Sequence, residues 1–236
     1  MQDNPRAKPS RSSLPVEQAL LVSAATTLSL AASWGLWYRF GRRVLNVDDL
    51  RRSDYSPRRL RGVVLRVPDG DGLRLFHRPF LRPFLKPPPP RSGLSKTTLS
   101  IRLAGVDAPE MAHFGHPEQP FAPEARDFLR QLVLGKPVVV ELYRKDQYQR
   151  VVGHVYIRKF PFFLRRNVSE LLVEAGYASV YEEHGAVYGG RLDRLRRLEE
   201  RARSKRRGMW SLGSHLESPA AFKQRVRNQG SEGSTS

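Results

Sequence analysis

Two short runs of this sequence combine acidic residues and arginines in an order that could support chemistry at a phosphoryl group. The first, I-R-L-A-G-V-D-A-P-E, contains Arg102, Asp107 and Glu110, and the second, R-K-D-Q-Y-Q-R, ends on Arg150. Carboxylates bind hard cations such as Ca²⁺ through oxygen, and a further carboxylate can orient or deprotonate water. Guanidinium groups donate paired hydrogen bonds to a phosphoryl group whose charge grows in the transition state. These residue types together suit calcium-assisted cleavage of a phosphodiester.

A third acidic run, D-G-D at 69–71, lies upstream of both. Such a run by itself more often marks a turn than a metal site. Here V-V-L-R-V precedes it and L-R-L-F follows, so the turn joins two strands and can present Asp71 at the mouth of a barrel. Pro109 follows Asp107 and stops strand pairing, which lets Glu110 face the same pocket.

In this order and spacing the runs resemble the active site of the staphylococcal nuclease (thermonuclease) family, over about residues 61–212. The resemblance implies that Asp71 and Asp107 bind calcium through their carboxylates. Ala108 stands where the family usually has Thr and would bind the metal through its main-chain carbonyl. Gly72 replaces the usual Thr after D-G-D, which is a departure from the family pattern.

The same resemblance assigns the catalytic side chains. Arg102 and Arg150 match the two arginines that bind phosphate, and Glu110 matches the residue that orders or deprotonates the attacking water, two roles that the sequence leaves open. Tyr148 corresponds to an aromatic residue that lines the nucleotide pocket, and Tyr181 is a second candidate of this kind.

Longer runs resemble a narrower group, the membrane-anchored endonucleases of fungal mitochondria known as the long chronological lifespan group. The resemblance implies an endonuclease for DNA or RNA with little sequence specificity, located in the mitochondrion. The runs that carry it are A-G-V-D-A-P-E-M-A-H-F-G, Y-R-K-D-Q-Y-Q-R-V-V, V-Y-E-E-H-G-A-V-Y-G-G and R-R-G-M-W.

Composition limits the domain count and the classes of partner. A chain of 236 residues that is 39% hydrophobic can bury one core, so we expect one domain with appendages. The net charge of +18 favours a polyanionic partner, and both nucleic acid and anionic lipid fit. The absence of Cys excludes disulfides, thiol catalysis and Cys-ligated zinc.

The N-terminal region divides by composition into three parts. Residues 1–18 are polar and predicted to be disordered, and 39–60 are predicted to form a linker. Between them, 19–38 carry no charge, which is about the length of a transmembrane helix, and aromatic and then basic residues follow. A signal peptide or a buried helix is the alternative. Basic residues on both flanks leave the orientation open.

Hydrophobic periodicity predicts five strands and three helices in the rest of the chain. Asn167 and Glu170 suggest a capping box for the second helix, and Gly176 can end it. The pattern fits an α+β fold with a five-stranded OB-fold barrel, although other α+β folds would also be compatible. The predicted strands are 62–67, 73–77, 99–103, 138–143 and 151–157, and the predicted helices are 123–132, 168–175 and about 192–202.

Two segments mix basic and aromatic residues, and the sequence leaves their roles open. The Pro-rich insertion at 78–97 is either an ordinary surface loop or a membrane-facing or substrate-guiding flap. The run at 158–166 could stack on bases or lie at a lipid interface. The helical run at 191–207 has nine basic and three acidic residues and suits a solvated face. Residues 213–236 are predicted to be a disordered tail.

Two other classes of function compete with an enzyme. A catalytically inactive domain of the same fold could bind nucleic acid or protein, but such domains typically lose the acids and arginines that this chain retains. A membrane scaffold could use the insertion and the basic helix to contact lipid.

Overall fold

The computed structural model describes residues 15–87, 93–112, 117–159, 164–183 and 185–232. The chain divides into two compact units, Met1–Arg42 and Arg43–Ser236.

The first unit contains a single described helix, α1 (Val16–Phe40), which is longer at both ends than the predicted span at 19–38. Its length of 25 residues and the mean hydropathy of 1.5 over an 18-residue window within it are sufficient to cross a membrane, and a signal sequence would meet the same test. Ser23, Thr26 and Thr27 donate their hydroxyls to carbonyls three or four residues earlier. These bonds satisfy polar groups that would otherwise be costly in an apolar environment.

The second unit is built on a closed five-stranded barrel, as predicted. The barrel strands are β1 (Arg59–Arg66), β2 (Gly72–His77), β3 (Leu99–Leu103), β5 (Pro137–Lys145) and β6 (Val151–Lys159). Antiparallel pairing links β2 to β1, β2 to β3, β1 to β5 and β5 to β6, and a parallel pairing of β3 with β6 closes the barrel. A further strand, β7 (Leu164–Asn167), extends the sheet beyond β6. A separate two-stranded sheet pairs β4 (Val106–Asp107) with β8 (Ser179–Val180).

The alternation of buried and partly exposed side chains along β3 explains how this strand both packs the core and presents a reactive side chain on its other face. Leu99, Ile101 and Leu103 are fully buried in the core, whereas Ser100 and Arg102 point to the other face. The parallel register pairs Arg102 with Val152. Residues at the end of β3 and the start of β6 therefore lie side by side.

Helices cover the barrel at the three predicted places. The first two predicted helices correspond to α3 (Ala122–Val133) and α4 (Val168–Ala175), and the third corresponds to α5 (Leu192–Ser204). A short helix, α2 (Leu94–Thr97), ends the Pro-rich insertion. The four consecutive prolines of this insertion, at 87–90, lie mostly outside the described residues.

The predicted capping box of α4 forms only in part. The Asn167 side chain accepts the Glu170 N–H at 3.2 Å, and Gly176 ends the helix with φ 78°, as expected. The Glu170 carboxylate, however, pairs with Arg191 at 2.5 Å and Arg194 at 2.8 Å. The buried carboxylate therefore joins α4 to α5, because a guanidinium satisfies its charge where water cannot reach.

The second unit extends beyond the predicted domain at 61–212 on both sides. In the predicted linker at 39–60, Val44 and Val47 belong to the hydrophobic core and Asp54 is fully buried. The core of the unit begins at Val44, and α1 contributes no buried residue to it. A fragment that starts at Arg43 therefore retains the whole core.

The prediction of a disordered tail at 213–236 is wrong for most of that segment. A 3₁₀ segment at Gly208–His215 leads into a helix, α6 (Pro219–Glu232). Phe222 on this helix is buried, and Ser218 caps the helix by accepting the Ala221 N–H at 3.2 Å. Contacts with the rest of the unit order a segment whose composition alone suggests disorder.

Candidate active site

The turn between β1 and β2 places Asp71 beside the end of β3. Gly72 pairs with Arg102, and the Asp71 carbonyl accepts the Leu103 N–H at 2.8 Å. A Cβ at Gly70 would lie 2.7 Å from the Ala108 Cβ, so the turn packs closely against the segment that follows β4. The first predicted acid is thus fixed by contacts of its turn with the run at 101–110, which was predicted to accompany it.

Arg102 lies between the two carboxylates that were predicted to bind metal. Its Nη2 donates to Asp107 Oδ1 at 3.0 Å, and its Nε is 3.4 Å from Asp71 Oδ2. Burial lowers the pKa of Arg102, but the two carboxylates outweigh it and raise the pKa above the ordinary value. The guanidinium therefore stays charged at the centre of the cluster.

Asp107 is almost completely buried at the end of β4. The pairing of β4 with β8 holds its main chain, and Ser179 Oγ donates to its carbonyl at 3.3 Å. Burial and the neighbouring Asp71 raise the pKa of Asp107 despite the opposing effect of Lys223 and Arg102. Because this carboxylate is desolvated, its ionised form is stable only with positive charge nearby.

Asp69 is a further acid of the site that the sequence did not single out. Burial and the neighbouring Asp71 raise the pKa of Asp69 to about 7. A Cβ at position 72 would fall 2.3 Å from Asp69 Oδ1. Gly72, the departure from the family pattern, thus leaves room for the Asp69 carboxylate.

Arg150 is positioned by the tight turn between β5 and β6. Asp146 Oδ1 accepts the main-chain N–H groups of Tyr148 and Arg150 at 2.8 and 2.9 Å. Asp146 Oδ2 accepts Arg150 Nε at 2.8 Å. The parallel pairing of Ile101 with Val151 then brings Arg150 to the same end of the barrel as Arg102.

The two predicted substrate-binding tyrosines stack on the two arginines. The Arg102 guanidinium carbon lies 4.9 Å from the centre of the Tyr181 ring, and that of Arg150 lies 5.3 Å from the Tyr148 ring. Tyr148 is 64% exposed, which leaves its ring accessible to a base. Each arginine is thus held by a carboxylate and an aromatic ring together.

Glu110 is anchored through its main chain by a buried glutamine. Gln119 accepts the Glu110 N–H through Oε1 at 3.2 Å, and its own N–H donates to the Glu110 carbonyl at 2.8 Å. Gln119 Nε2 also donates to the Glu217 carbonyl at 2.6 Å. This residue, which the sequence did not point to, links the Glu110 loop to the segment before α6.

Lys223 of α6 reaches into the same cluster and was also not predicted. Its Nζ lies 2.5 Å from Asp107 Oδ1 and 2.8 Å from Glu110 Oε1. Burial lowers the pKa of Lys223, but Asp107, Asp71 and Glu110 together raise it above the ordinary value. A cation supplied by the C-terminal helix therefore already balances part of the negative charge of the site.

The charged and aromatic side chains of this cluster, apart from the buried Asp107, line one cleft of about 850 Å³ at the barrel end. The cleft is large enough for a nucleotide-sized ligand. The predicted residues that line it are Asp71, Arg102, Glu110, Tyr148, Arg150 and Tyr181.

The donor set fits a hard cation that solvent and substrate help to bind. The described residues include no group of three or more His, Cys, Asp or Glu side chains arranged to hold a metal. Within the same part of the chain, however, Asp69 Oδ1 and Asp107 Oδ2 are buried carboxylate oxygens without a hydrogen-bond partner. Such oxygens are costly unless a cation satisfies them. Water and phosphate oxygens would have to complete the coordination that calcium prefers.

Comparison with known proteins points in the same direction. The family model described as staphylococcal nuclease homologue matches residues 100–212. The chain is 44% identical over 217 residues to the "Probable endonuclease LCL3" of Clavispora lusitaniae, and the aligned region covers 88% of this chain and 91% of that protein. It is 42% identical over 217 residues to the protein of the same name from Meyerozyma guilliermondii, with 88% and 93% covered.

A third relative gives a similar result. The chain is 41% identical over 213 residues to the "Probable endonuclease LCL3" of Schizophyllum commune, which covers 86% of this chain and 73% of that protein. The likeness therefore extends well beyond the residues that the family model matches.

Proposed function

The chain belongs to the family of staphylococcal nuclease homologues, and on this premise we propose that it is a calcium-dependent endonuclease that hydrolyses phosphodiester bonds of DNA or RNA. The observation that carries the proposal is the position of Arg102 between Asp71 and Asp107, with Arg150 and Glu110 lining the same cleft. A binding module has no need for two desolvated carboxylates and two arginines at one point.

In the proposed reaction, water attacks phosphorus in line with the leaving oxygen. Glu110 orders this water or accepts its proton, and its main chain is held in place by Gln119. Arg102 and Arg150 donate to the phosphoryl oxygens as their negative charge grows. A new P–O bond forms and the bond to the 5′ oxygen breaks. The leaving 5′ oxygen takes a proton from solvent, so a 3′-phosphate and a 5′-hydroxyl remain.

The two arginines are preorganised in different ways. Asp146 occupies Arg150 Nε, which leaves the two terminal nitrogens for a forked pair of hydrogen bonds with phosphate. Arg102 is fixed by Asp71 and Asp107 and needs little reorganisation when substrate arrives. This arrangement favours binding of the transition state over binding of the substrate.

Asp71, Asp107 and the Ala108 carbonyl are the proposed calcium ligands. A bound calcium ion supplies Lewis-acid polarisation of a phosphate oxygen. Asp69 lies next to this set and adds negative charge. Because none of these groups reads base edges in a groove, we expect little sequence specificity.

The proposal places the enzyme on a membrane, with α1 (Val16–Phe40) as a single-pass anchor in the mitochondrion. The length and hydropathy of α1 support an anchor. The mitochondrial location rests on the resemblance to the fungal endonucleases, and the sequence leaves the orientation open.

A nuclease assay with and without chelator tests this function. Residues 43–236 should degrade plasmid DNA and single-stranded RNA with calcium, stop in EGTA and recover when calcium is restored. Full activity in EGTA, or recovery with zinc alone, would contradict the metal assignment. Inactivity under every condition would favour a binding module.

A further inference from the structure

The first residues of the second unit, Arg43 and Val44, lie beside the two ends of the Pro-rich insertion. The Val44 N–H donates to His77 Nδ1 at 2.9 Å, and Arg43 Nη2 donates to the Thr97 carbonyl at 3.0 Å. His77 ends β2 and Thr97 ends α2, so the insertion leaves and rejoins the barrel at this point. Only Gly41 and Arg42 separate Arg43 from the last residue of α1 in the sequence.

The first part of the insertion, residues 78–87, presents apolar side chains to solvent. Phe80, Leu81 and Phe84 are 62%, 42% and 92% exposed. Their backbone is nevertheless held, because Arg82 N–H donates to the Pro79 carbonyl at 2.9 Å and a side-chain bond from Arg78 closes the turn. Three exposed apolar side chains within five ordered residues form a patch of the kind that marks an interaction site.

Positive charge surrounds this patch. The sequence from Gly72 to Val106 contains no Asp or Glu. The Arg61 guanidinium lies 5.4 Å from the centre of the Phe80 ring, and burial together with the neighbouring Arg82 lowers the pKa of Arg43. The partner that suits this surface is therefore anionic on its outside and apolar just beneath.

The position of the patch disfavours a role in guiding substrate. β2 begins next to the site at Gly72 and ends at the insertion at His77, and five residue steps of strand span about 17 Å. β3 runs from the insertion back to Arg102. The patch and the cleft therefore lie at opposite ends of the same two strands.

We infer that residues 78–87, with Arg43 and Arg61, form a second membrane contact that inserts Phe84 and Leu81 into the interface of an anionic bilayer. The inference rests on the proposed anchoring by α1, which brings a bilayer to this end of the unit. Insertion of aromatic and aliphatic side chains supplies apolar burial, and the arginines attract anionic headgroups. The cleft at the other end of the strands stays open to nucleic acid.

Vesicle sedimentation of residues 43–236 tests this surface without α1. The fragment should sediment with vesicles of phosphatidylcholine mixed with phosphatidylserine, and much less with phosphatidylcholine alone. Leu81→Ser combined with Phe84→Ser should weaken partitioning about tenfold or more, because the apolar burial is lost. The matched control is Leu164→Ser, which removes a side chain that is 63% exposed and is followed by two arginines in β7. Its partitioning should be unchanged.

Three outcomes would overturn the inference: no sedimentation of the wild-type fragment, equal sedimentation of the double variant, or an equal loss in the Leu164 control. A fall in DNA affinity in the double variant, with vesicle binding intact, would assign the surface to nucleic acid instead. The double variant should keep wild-type nuclease activity. The anchoring proposal fails separately, if carbonate releases the full-length protein while the fragment still binds vesicles.

Discussion

At the scale of single residues, the site depends on arginines that carboxylates and rings hold in place. Arg150 makes a main-chain bond and a side-chain bond to Asp146 and stacks on Tyr148. Arg197 lies on the exposed face of α5, where, among the described residues, no carboxylate and ring hold it in this way. The two residues have the same charge, so they allow the contribution of geometry to be separated from that of charge.

Replacement of Arg150 by Lys should therefore lower kcat by about a hundredfold or more. Lys keeps the charge but loses the planar fork, and loss of a preorganised donor set has an effect of about this size. Arg197→Ala should weaken DNA binding and its salt dependence with little change in kcat. Steady-state kinetics on one DNA substrate measures both. A near-normal kcat with a raised KM for Arg150→Lys would show that the arginine only tethers phosphate.

At the scale of secondary structure, local patterns predicted what local interactions determine. The alternation of apolar and polar residues predicted the strands, and Asn167 with Gly176 predicted the ends of α4. Each of these signals lies within a few neighbouring residues. The convergence of Arg102 with Arg150 depends on the parallel pairing of β3 with β6, which no local pattern encodes. It followed only from the resemblance to a known family.

The tail was mispredicted because its order comes from distant contacts. Lys223 pairs with Asp107, which is 116 residues away along the chain. The polar composition of the tail does not predict this contact. A local signal did exist, since Ser218 followed by Pro219 is a helix start with a capping residue and proline at the first position. Asp69 was missed because a turn motif does not reveal which carboxylate becomes buried.

The position of Lys223 predicts competition with metal. Lys223→Met should raise the affinity for calcium by roughly tenfold or more, because it removes a positive charge a few ångströms from the ion. Arg225→Met is the matched control, since Arg225 pairs with Glu217 rather than with the site acids. Calorimetric titration of both variants with calcium measures the effect. Equal or weaker binding by Lys223→Met would mean that Lys223 does not oppose the ion.

At the scale of the whole molecule, the two units have different proposed tasks. The first unit supplies a helix of 25 residues without a buried residue, and the second supplies a complete core that begins at Val44. Anchoring and catalysis should therefore be separable by truncation.

Carbonate extraction of membranes from cells that express the protein tests this separation. The full-length chain should stay in the membrane pellet, because a spanning helix resists extraction that removes peripheral proteins. Residues 43–236 should be released by carbonate and retain nuclease activity. Release of the intact full-length chain would exclude a spanning anchor, and an N-terminally shortened product in cells would indicate a cleaved signal.

The kcat of Glu110→Gln measures whether this cleft hydrolyses phosphodiesters through a carboxylate-assisted water. Glu118→Gln is the matched control, because Glu118 is exposed and lies in the same connection between β4 and α3. With saturating calcium and one DNA substrate, Glu110→Gln should lower kcat by about 10²- to 10⁴-fold. The control should stay near wild type. A near-wild-type kcat for Glu110→Gln would contradict the account.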